Sequence, residues 1–252
     1  MGSTDIKLSA IGLGLVKIGR NTGVKYPHSF QIPDDHTVRN LLETAFDLGV
    51  NLLDTAPAYG ESETRLGKLR PHRREDWIIC SKVGENFINQ TSVSTFNFDR
   101  KFIIQSVEHS LRNIKTDYLD ILLVHSNGED LKIIEEYDVF KTLSELKQAG
   151  KIRYFGMSTK TPAGAKLAIE QSDLVMLAYN MNYPDEGYLI DYAASLGKGV
   201  LIKKGLESGH AGSFENAIEF IFKKSGVSSL IIGTLNIKHL KENIEALPLP
   251  IC

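Results

Sequence analysis

Residues 119–125 read LDILLVH, a short apolar run that ends in an imidazole. A run of this length, bounded by turns, is typical of a buried strand. On one side of it, Ile103, Val107 and Leu111 recur at helical spacing, and a second helical pattern begins at Val139. Because strands that alternate with helices form parallel sheets, the stretch predicts one strand–helix unit of an α/β protein.

The same alternation continues over the whole chain. Seven further runs are predicted as strands, at residues 11–15, 50–53, 77–81, 152–157, 174–177, 199–202 and 230–232. Helices are predicted near residues 34–48, 62–69, 99–111, 139–146, 163–170, 186–196, 214–223 and 238–247, with Asp34, Ser62 and Asp99 as candidate N-caps. Eight units favour a closed (β/α)8 TIM barrel over an open sheet, and the lack of a linker-like stretch predicts a single domain over residues 1–252.

The composition is that of an ordinary globular enzyme or binding protein. Of 252 residues, 42% are hydrophobic and 24% charged, and the formal net charge is -2. This balance argues against nucleic-acid and membrane-surface partners. The chain has no run near the roughly 20 apolar residues of a membrane span and no apolar core of a signal peptide. We therefore expect a cytoplasmic monomer or weak homo-oligomer, with Cys80 and Cys252 as free thiols and no metal-ligand spacing.

Four polar residues stand just beyond predicted strands in the first half of the chain. Asp54 follows residues 50–53 and precedes Tyr59 by five positions, Lys82 follows residues 77–81, and His125 ends the opening stretch. In an α/β barrel the carboxyl ends of the strands meet on one face, where active sites are built. An acid, a phenol, an amine and an imidazole at this face predict proton-transfer chemistry.

The chain resembles the aldo-keto reductase family in six segments that occur in order. They are residues 12–14 (GLG), 54–60 (DTAPAYG), 81–83 (SKV), 117–125 (DYLDILLVH), 152–158 (IRYFGMS) and 232–234 (IGT), the last followed by Glu242-Asn243. The resemblance implies a barrel that reversibly reduces a small carbonyl substrate, an aldehyde or a ketone, with NADPH or NADH.

The resemblance also implies a role for each of the four polar residues. Tyr59 is the expected general acid, and Lys82 should lower its pKa from the usual value near 10 by stabilising the phenolate. Asp54 should hold Lys82 charged and oriented, and His125 should donate to the carbonyl oxygen. Taken singly, each residue also has a structural interpretation, as a turn cap, a loop aromatic, a solvated lysine or a hydrogen-bonded histidine.

A nucleotide site is implied at the ends of the later strands. Ser158 and Thr159 correspond to the residues that bind the nicotinamide carboxamide, with Thr159 where asparagine is common. Met176 stands in place of a glutamine, and Lys203 stands where an aromatic residue commonly stacks on the nicotinamide. Lys203 is either a cofactor contact or a solvated lysine, and Met176 is better explained as barrel core.

The other implied nucleotide contacts surround the pyrophosphate and the adenosine. They are Gly14, Leu15, Gly205, Leu206, Ser208, Gly209, Gly233, Thr234, Asn236, His239, Glu242 and Asn243. His239 aligns with a family arginine that binds the 2′-phosphate, and the adjacent Lys238 is a substitute cation. Loss of the planar guanidinium weakens the argument for NADPH, which we still predict over NADH.

The substrate side is less defined by sequence. Val16, Lys17 and Asn127 follow predicted strands and are expected to line the substrate pocket. Residues 19–27 form an irregular insertion that either covers the site or is a plain surface loop. The chain ends soon after the eighth predicted helix, where many family members carry a longer loop, so we expect an open pocket.

Two other functions are compatible with the same pattern. The altered positions Met176, Lys203 and His239 fit a nucleotide-sensing regulatory or binding protein with little turnover. A lyase or isomerase is the second alternative, because a fold alone does not determine a function.

Overall fold

The barrel predicted from the alternation is present in the computed structural model, which describes residues 1–88 and 91–248. The strands are β1 (Ile11–Gly14), β2 (Leu52–Asp54), β3 (Ile78–Val83), β4 (Glu85–Ile88), β5 (Val93–Phe96), β6 (Leu119–His125), β7 (Ile152–Ser158), β8 (Leu174–Ala178), β9 (Gly199–Lys203) and β10 (Ser229–Ile232). Eight of them close a parallel barrel in the order β1-β10-β9-β8-β7-β6-β3-β2, whereas β4 and β5 form a separate antiparallel hairpin. The predicted (β/α)8 fold is confirmed.

Helices connect the barrel strands, as the sequence pattern predicts. They are α1 (Val16–Gly19), α2 (Asp35–Asp47), α3 (Ser62–Leu69), α4 (Arg100–Ile114), α5 (Asp130–Glu135), α6 (Val139–Gln148), α7 (Pro162–Gln171), α8 (Gly187–Ser195), α9 (Phe214–Phe222) and α10 (Ile237–Glu245). The sequence did not predict α1 and α5, because one or two turns are too short to show a helical period. Within the described ranges, no helix combines the length and the apolar character needed to cross a bilayer.

The three predicted caps have different outcomes. Asp34 caps α2, because its side chain accepts a hydrogen bond from the Thr37 backbone N–H. Ser62 is wrong as a cap: it already lies within α3, and its hydroxyl donates to the Leu15 carbonyl at 3.0 Å. Asp99 occupies the N-cap position of α4, but its side chain makes no capping hydrogen bond.

Two apolar layers hold the barrel together. An inner cluster fills its centre and consists of Leu52, Cys80, Ile121, Leu123, Leu174, Met176 and Leu201. A larger outer cluster packs the strands against the helices. Cys80 is therefore a buried free thiol whose pKa is raised by burial, whereas Cys252 lies outside the described residues.

Strand geometry determines what stands above the inner cluster. Side chains alternate between the two faces of a strand, so the residue two positions beyond an inner-cluster member again points inward. On β2 and β3 these residues are Asp54 and Lys82, two positions after Leu52 and Cys80. The barrel is thus apolar at its centre and polar at its carboxyl-end mouth.

Candidate active site

Asp54 and Lys82 form a buried ion pair at the mouth of the barrel. The Lys82 ammonium donates to Oδ1 of Asp54 at 2.6 Å and to the Thr55 carbonyl at 3.0 Å. The Lys82 side chain is only 2% exposed, and the Asp54 side chain only 5%. Burial by itself would lower the pKa of Lys82, but the Asp54 carboxylate raises it above the ordinary lysine value. The contact with Asp54 therefore favours the charged form of Lys82.

Tyr59 lies directly against this cation. It ends a single 3-10 turn (Pro57–Tyr59), and Gly60 follows it with a φ of 61°. A methyl group on Gly60 would lie 2.3 Å from the Gly19 carbonyl oxygen, so only glycine fits this close approach. The turn places the Tyr59 ring centroid 4.6 Å from the Lys82 ammonium.

The resting pKa of Tyr59 differs from the sequence-based expectation. Burial raises it to about 12, and the Lys82 ammonium opposes that rise without overcoming it. Lys82 therefore lowers the pKa of Tyr59 only relative to an equally buried phenol. The physical reason is that desolvation penalises the phenolate more than one neighbouring cation stabilises it.

His125 faces Tyr59 from the end of β6. The two ring centroids are 6.3 Å apart, and the ring planes meet at 85°. His125 lies opposite Ser158 in the pairing of β6 with β7, which puts it between the expected catalytic and nucleotide sides. The four residues singled out at the strand ends therefore lie together at the carboxyl-end mouth of the barrel.

Glu85, which the sequence did not indicate, also belongs to this group. Its Oε2 lies 2.6 Å from Nδ1 of His125, a close contact without the angle of an aligned hydrogen bond, which is an ion pair only when the imidazole is protonated. Its other oxygen, Oε1, accepts from the Ser94 hydroxyl across the hairpin. Residues 93–96 (VSTF) do carry a signal for one strand of the hairpin. Their β-branched residues stand at alternate positions, which is typical of a strand.

Lys203 occupies the expected nicotinamide side. Its ammonium donates to the Ser158 hydroxyl at 2.8 Å and to the Thr159 carbonyl at 2.7 Å. Burial, with Lys204 beside it, lowers the pKa of Lys203 to about 7. Lys203 is thus partly buried and hydrogen-bonded within the protein, and its contact with the cofactor stays a prediction. Met176 lies in the inner cluster, in agreement with its interpretation as barrel core.

The loop after β9 carries the next group of predicted contacts. Leu206, Ser208 and Gly209 are partly exposed or exposed there. Gly205 is buried instead, and a methyl group on it would lie 2.5 Å from Cδ1 of Leu230, so packing beneath the loop explains this glycine. Leu15, predicted as a nucleotide contact, is a core residue whose N–H donates to the Asp54 carbonyl at 2.8 Å.

The region after β10 presents polar groups around the start of α10. Asn236 caps the helix by accepting from the Lys238 N–H, and Thr234 accepts from the Asn236 N–H at 3.0 Å. His239 and Glu242 are exposed on α10, while Asn243 is buried. Gly14 ends β1 and Gly233 directly follows β10, and the two lie near this group because β1 pairs with β10.

The insertion predicted at residues 19–27 contacts the hairpin and the region after β10. Arg20 lies 3.4 Å above the Phe87 ring of the hairpin and donates to the Ala58 carbonyl at 2.9 Å. At the far side, the Tyr26 hydroxyl lies 3.0 Å from the position of a methyl group built on Gly233. Arg20 and Tyr26 of the insertion thus contact groups on two sides of the barrel, and its role as a cover stays a prediction.

The predicted substrate contacts are found in two different settings. Val16 and Lys17 are partly buried in α1, and the Lys17 ammonium lies 4.0 Å from the Tyr26 ring centroid. Asn127 uses its side chain locally, accepting from the Glu129 N–H at 2.8 Å and donating to its carboxylate at 3.1 Å. Lys17 therefore remains a candidate for the pocket wall, whereas Asn127 shapes the turn before α5.

Comparisons with known proteins agree with this architecture. A solved structure from Pseudomonas aeruginosa, assigned to the aldo-keto reductases, has a TM-score of 0.89 and 42% identity over 97% of this chain and 91% of its own. The Bacillus subtilis oxidoreductase YqkF is 26% identical over 98% of this chain and 89% of its own length. L-galactose dehydrogenase from Arabidopsis thaliana is 26% identical over 98% of this chain and 86% of its own. The model of the Aldo/keto reductase family matches residues 10–216, and the chain is a member of that family.

Proposed function

We propose that this protein is an NAD(P)H-dependent carbonyl reductase that converts an aldehyde or ketone to an alcohol. The observation that carries the proposal is the buried Asp54–Lys82 ion pair, whose ammonium lies 4.6 Å from the centroid of the Tyr59 ring. A charged lysine beside a buried phenol is suited to proton donation, because it stabilises the phenolate that forms when the proton leaves.

Each of the four residues at the barrel mouth has its own role in the proposed reaction. Tyr59 stays protonated at neutral pH, since its pKa is raised to about 12 by burial, and it gives its proton to the carbonyl oxygen. Lys82 stabilises the resulting phenolate, and Asp54 keeps Lys82 in place. His125 lies beside the phenol, where it can contact the same oxygen.

The residues on the nucleotide side fit a dinucleotide. Among the described residues, Oγ1 of Thr159 and Oδ1 of Asn243 are buried without a hydrogen-bond partner, and both can serve the amide and amine groups of such a ligand. Lys203 adds a cation beside Ser158. When bound, the nicotinamide supplies the hydride. Lys238, exposed at the start of α10, supports NADPH as the cofactor, with NADH as the alternative.

Fluorescence titration with NADPH and NADH, followed by turnover of an aldehyde panel, tests the proposal. The panel includes sugars, because a sugar dehydrogenase is among the relatives. Tyr59→Phe should lower kcat by about 10²–10⁴ and leave nucleotide affinity within about twofold, as expected for loss of a general acid. Tyr188→Phe, at a side chain 58% exposed, is the matched control and should change neither. Undiminished turnover in Tyr59→Phe would refute the assignment.

A second candidate is a nucleotide-binding regulatory protein with little turnover. It is favoured by one observation, the engagement of Ser158 by the Lys203 ammonium where the family commonly places an aromatic ring. This candidate predicts that NADPH binds tightly while the whole aldehyde panel remains unconverted. Efficient turnover of any member of the panel would remove it.

A further inference from the structure

The hairpin β4–β5 brings a carboxylate to the mouth of the barrel. Gly84, with a φ of 99°, turns the chain directly after β3, and a methyl group there would lie 2.3 Å from the Phe98 ring. Glu85 is therefore the first residue of β4, paired with Phe96 of β5. The Ser94 hydroxyl donates to its Oε1 at 2.5 Å, which fixes the orientation of the carboxylate.

The other carboxylate oxygen determines where a proton can reside on His125. Oε2 of Glu85 lies 2.6 Å from Nδ1 of His125, and the two side chains are 12% and 21% exposed. An ionised carboxylate only accepts hydrogen bonds, so at this distance it repels the electron-rich nitrogen of a bare Nδ1 and favours an Nδ1 that carries hydrogen. A neutral imidazole carries hydrogen on only one of its two nitrogens. When that nitrogen is Nδ1, Nε2 is an acceptor.

The surrounding charges keep Glu85 ionised. Burial would raise its pKa, but contacts with His125, Ser94 and Arg20 lower it to about 2. The pKa of His125 is lowered by burial, and the cations Lys82 and Lys203 add to this, whereas Glu85 opposes it. The phenol of Tyr59 also faces His125.

We infer that Glu85 is a positioning residue that places the imidazole proton on Nδ1 of His125. His125 then donates from Nε2 to a substrate oxygen only as the imidazolium, and as the neutral imidazole it accepts from a hydroxyl group. This inference rests on the proposed function and alters one part of it, since the resemblance assigns His125 a donor role in general. Carbonyl reduction should be faster when His125 is protonated, and alcohol oxidation should be faster when His125 is neutral.

The tautomer itself is measurable without turnover. In ¹⁵N-labelled protein, with the His125 signals identified by their loss in His125→Asn, the wild type should show the Nδ1–H tautomer above the imidazole pKa. Glu85→Gln should lower that pKa by about one to three, since an opposite charge in contact shifts a pKa by that much. Glu43→Gln, at an exposed position on α2, is the control and should leave it unchanged. An Nε2–H tautomer in the wild type, or an unchanged pKa in Glu85→Gln, would overturn the inference.

A pH profile connects the tautomer to the reaction. In wild type, kcat/KM for reduction should fall as the pH rises and His125 loses its proton. In Glu85→Gln this fall should begin at lower pH. At a fixed pH above it, kcat/KM should be lower than in wild type by about tenfold for each pH unit of displacement. Nucleotide affinity should stay within about twofold. Glu85→Asp keeps the charge on a shorter side chain, and it should restore part of the profile and replace Glu85→Gln if that variant fails to fold. If the wild type shows no turnover, the proposed function fails while the ¹⁵N result still decides the role of Glu85.

Discussion

Replacing Lys82 by methionine removes half of the ion pair at the barrel mouth and leaves Asp54 buried with its charge. At a separation of 2.6 Å and an effective dielectric constant of about 20, the attraction amounts to about 6 kcal/mol. Desolvation of each ion opposes it by several kcal/mol, so the complete pair contributes little net stability. A lone buried carboxylate retains the desolvation penalty without the attraction. We expect Lys82→Met to lower the free energy of unfolding by about 3–5 kcal/mol.

Urea unfolding followed by circular dichroism measures this effect. The double variant Asp54→Asn/Lys82→Met should regain most of the lost stability, because neither side chain is then charged. Lys68→Met is the matched control: its side chain is 64% exposed and pairs with an exposed Asp35, so its loss should change stability by less than about 1 kcal/mol.

The pH dependence gives a second check on the same variant. The pKa of Lys82 is raised, so its stabilising charge is fully present below the ordinary lysine value of 10.5 and is lost only as the pH rises beyond it. The difference between wild type and Lys82→Met should therefore show no loss from titration of Lys82 between about pH 6 and 9. The reasoning would be refuted if the free energy of unfolding of Lys82→Met lay within about 1 kcal/mol of wild type. It would also be refuted if the double variant lost as much stability as Asp54→Asn and Lys82→Met lose together.

Two further predictions concern the barrel wall and the nucleotide side. Gly156→Ala would place a methyl group 1.9 Å from the Leu174 carbonyl oxygen and should cost about 3 kcal/mol or more in urea unfolding, whereas Gly212→Ala, with nothing within 4 Å, should stay within about 0.5 kcal/mol. Equal stability of these two variants would contradict the packing at β7. The ammonium of Lys203, with a pKa lowered to about 7, loses its charge as the pH rises through that value, so NADPH affinity should weaken by up to about tenfold per pH unit above it. Fluorescence titrations should show this slope in wild type and not in Lys203→Met; the same slope in both would exclude Lys203 as its origin.

The polar mouth of the barrel could be predicted from the sequence because it follows from strand geometry. An inward-facing residue recurs at every second position, and Leu52, Cys80 and Leu201 are inner-cluster members. Two positions after them, at the end of the strand or one residue before it, stand the charged residues Asp54, Lys82 and Lys203. Short apolar runs with an abrupt polar end therefore carry the information about both the barrel and the residues at its mouth.

The contribution of the hairpin could not be predicted in the same way. Its two strands have four residues each and are mostly exposed, so they lack the apolar run that marks a barrel strand. The contact between Glu85 and His125 joins residues forty positions apart across two different elements. A sequence pattern reports local periodicity, whereas this contact depends on the turn at Gly84 and on the pairing of the hairpin.

The pKa of Tyr59 shows why a residue's role and its resting titration need separate arguments. A family pattern indicates that Lys82 assists Tyr59, but burial raises the resting pKa to about 12 because the phenolate is poorly solvated. The same burial strengthens the attraction between a phenolate and the nearby ammonium, since charges interact more strongly where water is excluded. In the proposed reaction Lys82 thus acts as the proton leaves, when negative charge develops on the phenol whose ring centroid lies 4.6 Å from the ammonium. A high resting pKa keeps the donor protonated, and the ion pair lowers the barrier to its release.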